Sequence, residues 1–122
     1  MLVSDILAKA LEIWGPRGEH WCTGHLVKGE HGHQSYCLYG GIGMAAMGKP
    51  MYEMDSIEKI SISGLAHHKA LCYVRKAIGK RHEFSLACFN DSCAEFAPVK
   101  AVVCDALKQA LVDEEQEETS IS

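Results

Sequence analysis

Residues 37–47 read Cys37-Leu38-Tyr39-Gly40-Gly41-Ile42-Gly43-Met44-Ala45-Ala46-Met47. The stretch is apolar on nearly every side, so it reads as a short helix inside a core rather than an amphipathic one at its surface. Glycine weakens an isolated helix by about 1 kcal/mol per residue against alanine. The same missing side chains let neighbouring elements approach closely, and that favours a buried position. Gly48-Lys49-Pro50 then breaks the helix. A helix with no polar face needs partners around it, and the rest of the chain must supply them.

Outward from this centre the pattern is helical. Val3, Ile6, Leu7, Ala10, Leu11 and Trp14 follow the i, i+3, i+4 spacing of an amphipathic helix, with Asp5, Lys9 and Glu12 opposite. Ser4 or the residues just before it are expected to cap its start, and Gly15-Pro16 to end it. Residues 65–78 carry Leu71, Val74 and Ile78 on one side and close at Gly79. Phe96, Val99, Val103, Ala106, Leu107, Ala110 and Leu111 form the stripe of a last helix, with Pro98 suited to its first turn. Trp14 and Phe96 are placed to meet if the terminal helices pair.

Between the first two helices the period changes. Trp21, Thr23 and His25 alternate with Cys22, Gly24 and Leu26, and residues 28–34 have a turn composition. Two short strands at about 21–27 and 34–37, joined as a hairpin, are expected. Residues 50–63 read as a loop with a helical turn near 56–59. Phe84, Leu86, Cys88 and Phe89 read as a short extended segment ending in the turn Asn90-Asp91-Ser92. The fold expected is mainly α, within the α+β class: a four-helix core with a small β-hairpin after the first helix. It occupies residues 1–112 as one domain, and the acidic run 113–122 is expected to be disordered.

The totals restrict function more than they reveal it. The chain has 122 residues, 48% of them hydrophobic and 23% charged, with a net charge of −4. That is one packed domain with a wetted surface. No dense cationic patch is present for nucleic acid; Arg75, Lys76, Lys80 and Arg81 cluster where a helix ends, and there they suit the dipole. The opening segment holds charges among its apolar residues, unlike a signal peptide, and no run is long enough for a membrane span. A cytoplasmic protein with its six cysteines as thiols is expected.

Several residues have chemistry-bearing side chains. Cys22, His25, His33 and Cys37 form a candidate zinc set, because a hairpin can converge thiolate and imidazole pairs tetrahedrally. Strand alternation separates Cys22 from His25, so buried cysteines and exposed loop histidines are the competing account. Cys37 at a helix start, or Cys88 and Cys93 around the 89–92 turn, are candidate nucleophiles if a histidine lies close. Asn90 and Asp91 are read first as turn formers that bond to backbone two or three residues on. His67 and His68 are read as surface residues. Gly40, Gly41 and Gly43 lack the Lys-Ser/Thr of a phosphate loop and the strand of a dinucleotide fingerprint. No cofactor is expected.

The order Trp21-Cys22-Thr23-Gly24-His25-Leu26, Tyr36-Cys37-Leu38-Tyr39-Gly40 and Phe89-Asn90-Asp91 resembles DUF6197, a family of small proteins from actinobacteria and their phages. Its members have an amphipathic opening helix, a Trp-x-x-Gly segment, a Cys-x-x-Gly that begins a helix and an aromatic-Asn-Asp turn before the last helix. The resemblance runs from about residue 3 to 112 and singles out Trp21, Gly24, Cys37, Gly40, Asn90 and Asp91. Members often differ where Cys22 and His25 stand, and residues 48–63 have no clear counterpart. The resemblance implies a phage or actinobacterial accessory protein and supplies no reaction. Three readings follow: an interaction domain for a host or self protein, with a homodimer through the glycine-rich helix as one form; a small hydrolase with a pocket near Trp21, Cys37 and Asn90-Asp91; or a hairpin holding structural zinc.

Overall fold

A computed structural model describes residues 2–25, 27–29, 34–48, 65–79 and 86–121, with 65 and 118–121 as backbone alone. The expected loop at 50–63, Phe84, His31 and His33 lie outside the described residues. Helix α1 spans Val3–Trp14, strands β1 and β2 span Val27–Lys28 and Ser35–Tyr36, and α2 spans Leu38–Met47. Three helices follow: α3 Leu65–Ile78, α4 Leu86–Ser92 and α5 Phe96–Ile121. The mainly helical fold with a hairpin after the first helix is the one the periodicity indicates.

The core is built from the predicted stripes. Ile6, Leu7, Ala10 and Trp14 of α1 meet Leu38, Ile42 and Ala45 of α2, Ala70 and Val74 of α3, and Val99, Val103, Ala106 and Ala110 of α5. Helix α5 packs along α3 and α1, while α2 lies against α1. Trp14 is fully buried and explains Gly41 of α2. A Cβ placed on Gly41 would stand 2.4 Å from the Trp14 ring, so glycine is what lets the indole lie on the helix backbone. The indole N–H is not lost there; it donates to the carbonyls of Tyr36 and Cys37 at 3.1 and 3.3 Å. The ring also tilts against Phe96, centroids 5.9 Å apart, joining the two terminal helices.

Helix α1 takes Leu2, just before Ser4, as its N-cap, and the Leu2 backbone N–H donates to Asp5 at 3.2 Å. Ser4 is already inside the helix and buried. Local details depart from expectation at the first strand, at residues 86–92 and at His67. The first strand does not run from 21 to 27. Trp21 makes one parallel bridge to Tyr36, residues 23–25 bend, and among the described residues Val27–Lys28 pairs antiparallel with Ser35–Tyr36. Gly24 takes φ +78°, which an alternating strand does not permit, and its N–H is turned away to Asp91.

The expected extended segment and the 90–92 turn that was to end it are instead both part of α4 from Leu86 to Ser92. Leu86, Phe89 and Asn90 are its buried residues, at i, i+3 and i+4, a helical period that the alternation of Leu86 and Cys88 disguised. His67 is buried rather than on the surface, because it shares the α3 stripe of Ala70 and Val74; its ring meets Tyr39 edge-on. His68 is exposed as expected. Helix α5 continues into the acidic run as far as Ile121, and two carboxylates at the start of that run find partners on other helices. Glu114 accepts from the Ser4 hydroxyl at 2.6 Å and from its N–H at 3.1 Å. Asp113 accepts from the Tyr73 hydroxyl at 2.5 Å and from Gln109 at 2.9 Å.

Candidate functional site: the Asn90 brace and its cleft

The motif residues are far apart in sequence and converge around one amide. Asn90 sits near the end of α4 with no exposed surface. Its Oδ1 accepts from the Trp21 indole Nε1 at 2.7 Å and from the Leu38 backbone N–H at 2.9 Å. Both of those groups can only donate, so the orientation of the amide is fixed. Its Nδ2 donates to the Cys22 carbonyl at 3.0 Å and to Asp91 Oδ1 at 3.2 Å. An asparagine side chain has two donor hydrogens and two acceptor lone pairs, and here all four are used.

The brace has a second layer. Asp91 Oδ1 also accepts from the Gly24 N–H at 2.8 Å, which holds the bend after Trp21 against α4. Cys37 is the N-cap of α2, and its sulfur accepts from the Gly40 N–H at 3.4 Å. Burial pushes the Cys37 thiol up from its ordinary value, and the backbone N–H of Gly40 pulls the other way. Burial likewise raises Cys22 and Cys93. Trp21, Gly24, Cys37, Gly40, Asn90 and Asp91 thus form one junction of the 21–24 bend, α2 and α4. Asn90 and Asp91 bond across the molecule rather than to backbone two or three residues on.

Of the candidate zinc set, Cys22 and Cys37 come together. The Cys22 thiol points at the His25 carbonyl, 3.5 Å away, and His33 lies outside the described residues. Among the described residues no three His, Cys, Asp or Glu side chains gather as a metal-holding group. The candidate nucleophiles are dispersed: Cys88 is exposed, and the Cys93 thiol donates to the Phe89 carbonyl. One thiol–imidazole contact went unanticipated. His68 Nε2 and Cys72 Sγ lie 3.6 Å apart on α3, and their i, i+4 spacing was the available signal.

Beside the brace lies an open cleft of about 530 Å³, lined by Pro16, Arg17, Gly18, Trp21, Glu95, Phe96, Ala97 and Lys100. Its wall is aromatic: Trp21 packs against Phe96 at a centroid distance of 5.9 Å. Gly18 closes the base with φ +75°, and a Cβ there would strike the Phe96 ring at 2.4 Å. Lys100 Nζ reaches back to the Pro16 carbonyl at 3.1 Å. Arg17, Phe96 and Lys100 were not site candidates in the sequence, because the cleft joins residues about 80 positions apart, a relation that only packing creates. No described helix is long and apolar enough to cross a membrane.

No curated protein and no solved structure matches the chain. A family model does match, over residues 1–111, and these span both the brace and all but the last turns of α5. The chain belongs to DUF6197, a family of unknown function.

Proposed function

We propose that the protein is a non-catalytic interaction domain, a cytoplasmic accessory protein of a phage or actinobacterium, that engages a host protein through the cleft beside Trp21. The observation that carries this reading is a division of labour around the indole. Its N–H is spent on Asn90, while its ring helps to wall an open cleft between Arg17 and Lys100. An aromatic side chain held in one orientation, flanked by an arginine, is the composition found at the energetic centres of protein interfaces. Two cations against the single carboxylate of Glu95 favour a partner that presents an acidic side chain beside an apolar one. The hydrolase reading draws no support from the same residues. Asn90 has no bonding capacity left for a substrate, and Cys37 is buried with its thiol form favoured.

The test compares capture from an actinobacterial lysate by the wild type, by Arg17→Glu/Lys100→Glu, and by Lys108→Glu on the exposed side of α5. Circular dichroism confirms that all three are folded. A partner whose recovery falls about tenfold with the cleft variant, and is unchanged with Lys108→Glu, supports the reading. Equal recovery by all three sinks it. A concentration-dependent dimer of the wild type that the cleft variant abolishes identifies a second copy as the occupant instead.

A further inference from the structure

Two cysteines sit side by side where the 21–24 bend meets the start of α2. Trp21 and Tyr36 form a parallel bridge, with the Tyr36 N–H donating to the His20 carbonyl at 2.8 Å and the Cys22 N–H to the Tyr36 carbonyl at 3.1 Å. The next residue on each chain is a cysteine. The ladder goes no further: the Cys22 carbonyl and the Leu38 N–H, the groups of its next rung, are joined through the Asn90 amide. Cys22 and Cys37 therefore flank the last rung made, and a disulfide needs their Cα atoms within roughly 4.4–6.8 Å. Both sulfurs are held by single weak bonds, Cys22 to the His25 carbonyl and Cys37 from the Gly40 N–H. The two groups already sense each other electrostatically, since a charge on Cys37 raises Cys22.

We propose that Cys22 and Cys37 are a closable dithiol, and that a small disulfide oxidant of the glutathione class joins them into an intramolecular disulfide. Cys22 is half-buried and Cys37 buried, so Cys22 meets the oxidant first. Its thiolate attacks one sulfur of glutathione disulfide, forming a mixed disulfide and releasing one glutathione thiolate. The Cys37 thiol, favoured in its neutral form by burial, gives up its proton to the released glutathione thiolate as its sulfur attacks Cys22, closing the protein disulfide and releasing the second glutathione. The two protons lost by the cysteines go to the two released thiolates, and the two electrons reduce the oxidant. The bond would fasten the bend that carries Trp21 to the cap of α2, a link now made through Asn90.

The experiment exposes the full chain to oxidised glutathione and maps its cysteines by mass spectrometry after blocking free thiols. The expected product has lost two hydrogens, shows a Cys22–Cys37 cross-linked peptide, and melts several degrees higher than the reduced protein. Cys22→Ser removes the cross-link, and Cys88→Ser leaves it in place. Because Cys37→Ser alters the cap of α2, Cys22→Ser serves as the deciding variant. Cross-links confined to Cys72, Cys88, Cys93 or Cys104 overturn the proposal. So does a glutathione adduct that persists at Cys22, because Cys37 then fails to resolve it.

Discussion

Asn90 carries more of the structure than any other polar side chain described. Replacing it with alanine leaves the Trp21 indole N–H, the Leu38 N–H and the Cys22 carbonyl without their partner. A buried group stripped of its bond costs about 1–3 kcal/mol, so Asn90→Ala is expected to destabilise by on the order of 3 kcal/mol. Urea denaturation measures it directly, and a loss below about 1 kcal/mol would show that water replaces the amide. That is a large share of the roughly 5–15 kcal/mol by which a domain is stable. The importance of Asn90 was legible in the sequence, but its role was not. Asparagine bonds locally so often that a turn is the reasonable first reading. Three of its four partners are 52 to 69 residues away, and no short-range pattern announces them. Gly41 shows the same limit: the glycines of α2 signalled close approach, but not that Trp14 would be the side chain approaching.

At the scale of the element, period decided what could be read. Helices α1, α2, α3 and the first part of α5 follow the 3.6-residue spacing or an unbroken apolar run, and they stand where expected. Helix α4 was hidden because seven residues hold barely two turns, and two of its apolar positions happen to alternate. At the start of the acidic run Asp113 and Glu114 make contacts that only another helix supplies, and no local charge pattern shows them. Those contacts have an acid–base signature. The Asp113 carboxylate accepts the Tyr73 hydroxyl proton, which pushes Tyr73 up to about 12 and holds Asp113 below the ordinary carboxylate value. The neutral phenol and the ionised carboxylate are the forms that the folded state favours. Their contribution is therefore full between about pH 4 and pH 10, the unfolded values of the two groups. It fades as pH falls through the lowered carboxylate value, and again as pH rises through about 12. An ultraviolet titration of the four tyrosines should show one ionising about two units late, and Asp113→Asn should return it towards 10. A late tyrosine that survives the substitution would contradict the contact.

For the whole molecule, α1, α2, α3 and α5 share one core, and the brace ties the hairpin region and α4 to it. Trp14 at its centre and Trp21 at its edge both pack against Phe96. Unfolding by urea, followed by tryptophan fluorescence and by far-ultraviolet circular dichroism, is therefore expected to give coincident transitions. A fluorescence change that precedes the loss of helix would mean the brace opens as a separate unit. This single core was the most legible feature of all, since the stripes of four helices have nowhere else to go. The cleft was the least legible, because it is the space left where α5 begins beside the exit of α1.

The length of α5 gives the molecule a direction. Its 26 residues rise about 1.5 Å each, so its ends stand roughly 40 Å apart. Arg17 and Lys100 lie near its beginning, while Asp113, Glu114, Glu115 and Glu117 lie towards its end. The peptide dipoles of the helix point the same way, positive at the cleft and negative at the far end. Along α5, therefore, the carboxylates and the backbone dipole are negative at the same end, the one far from the cleft. If the proposed acidic partner exists, its approach to the cleft end should quicken in dilute salt and lose that advantage at physiological salt, where the Debye length is about 8 Å.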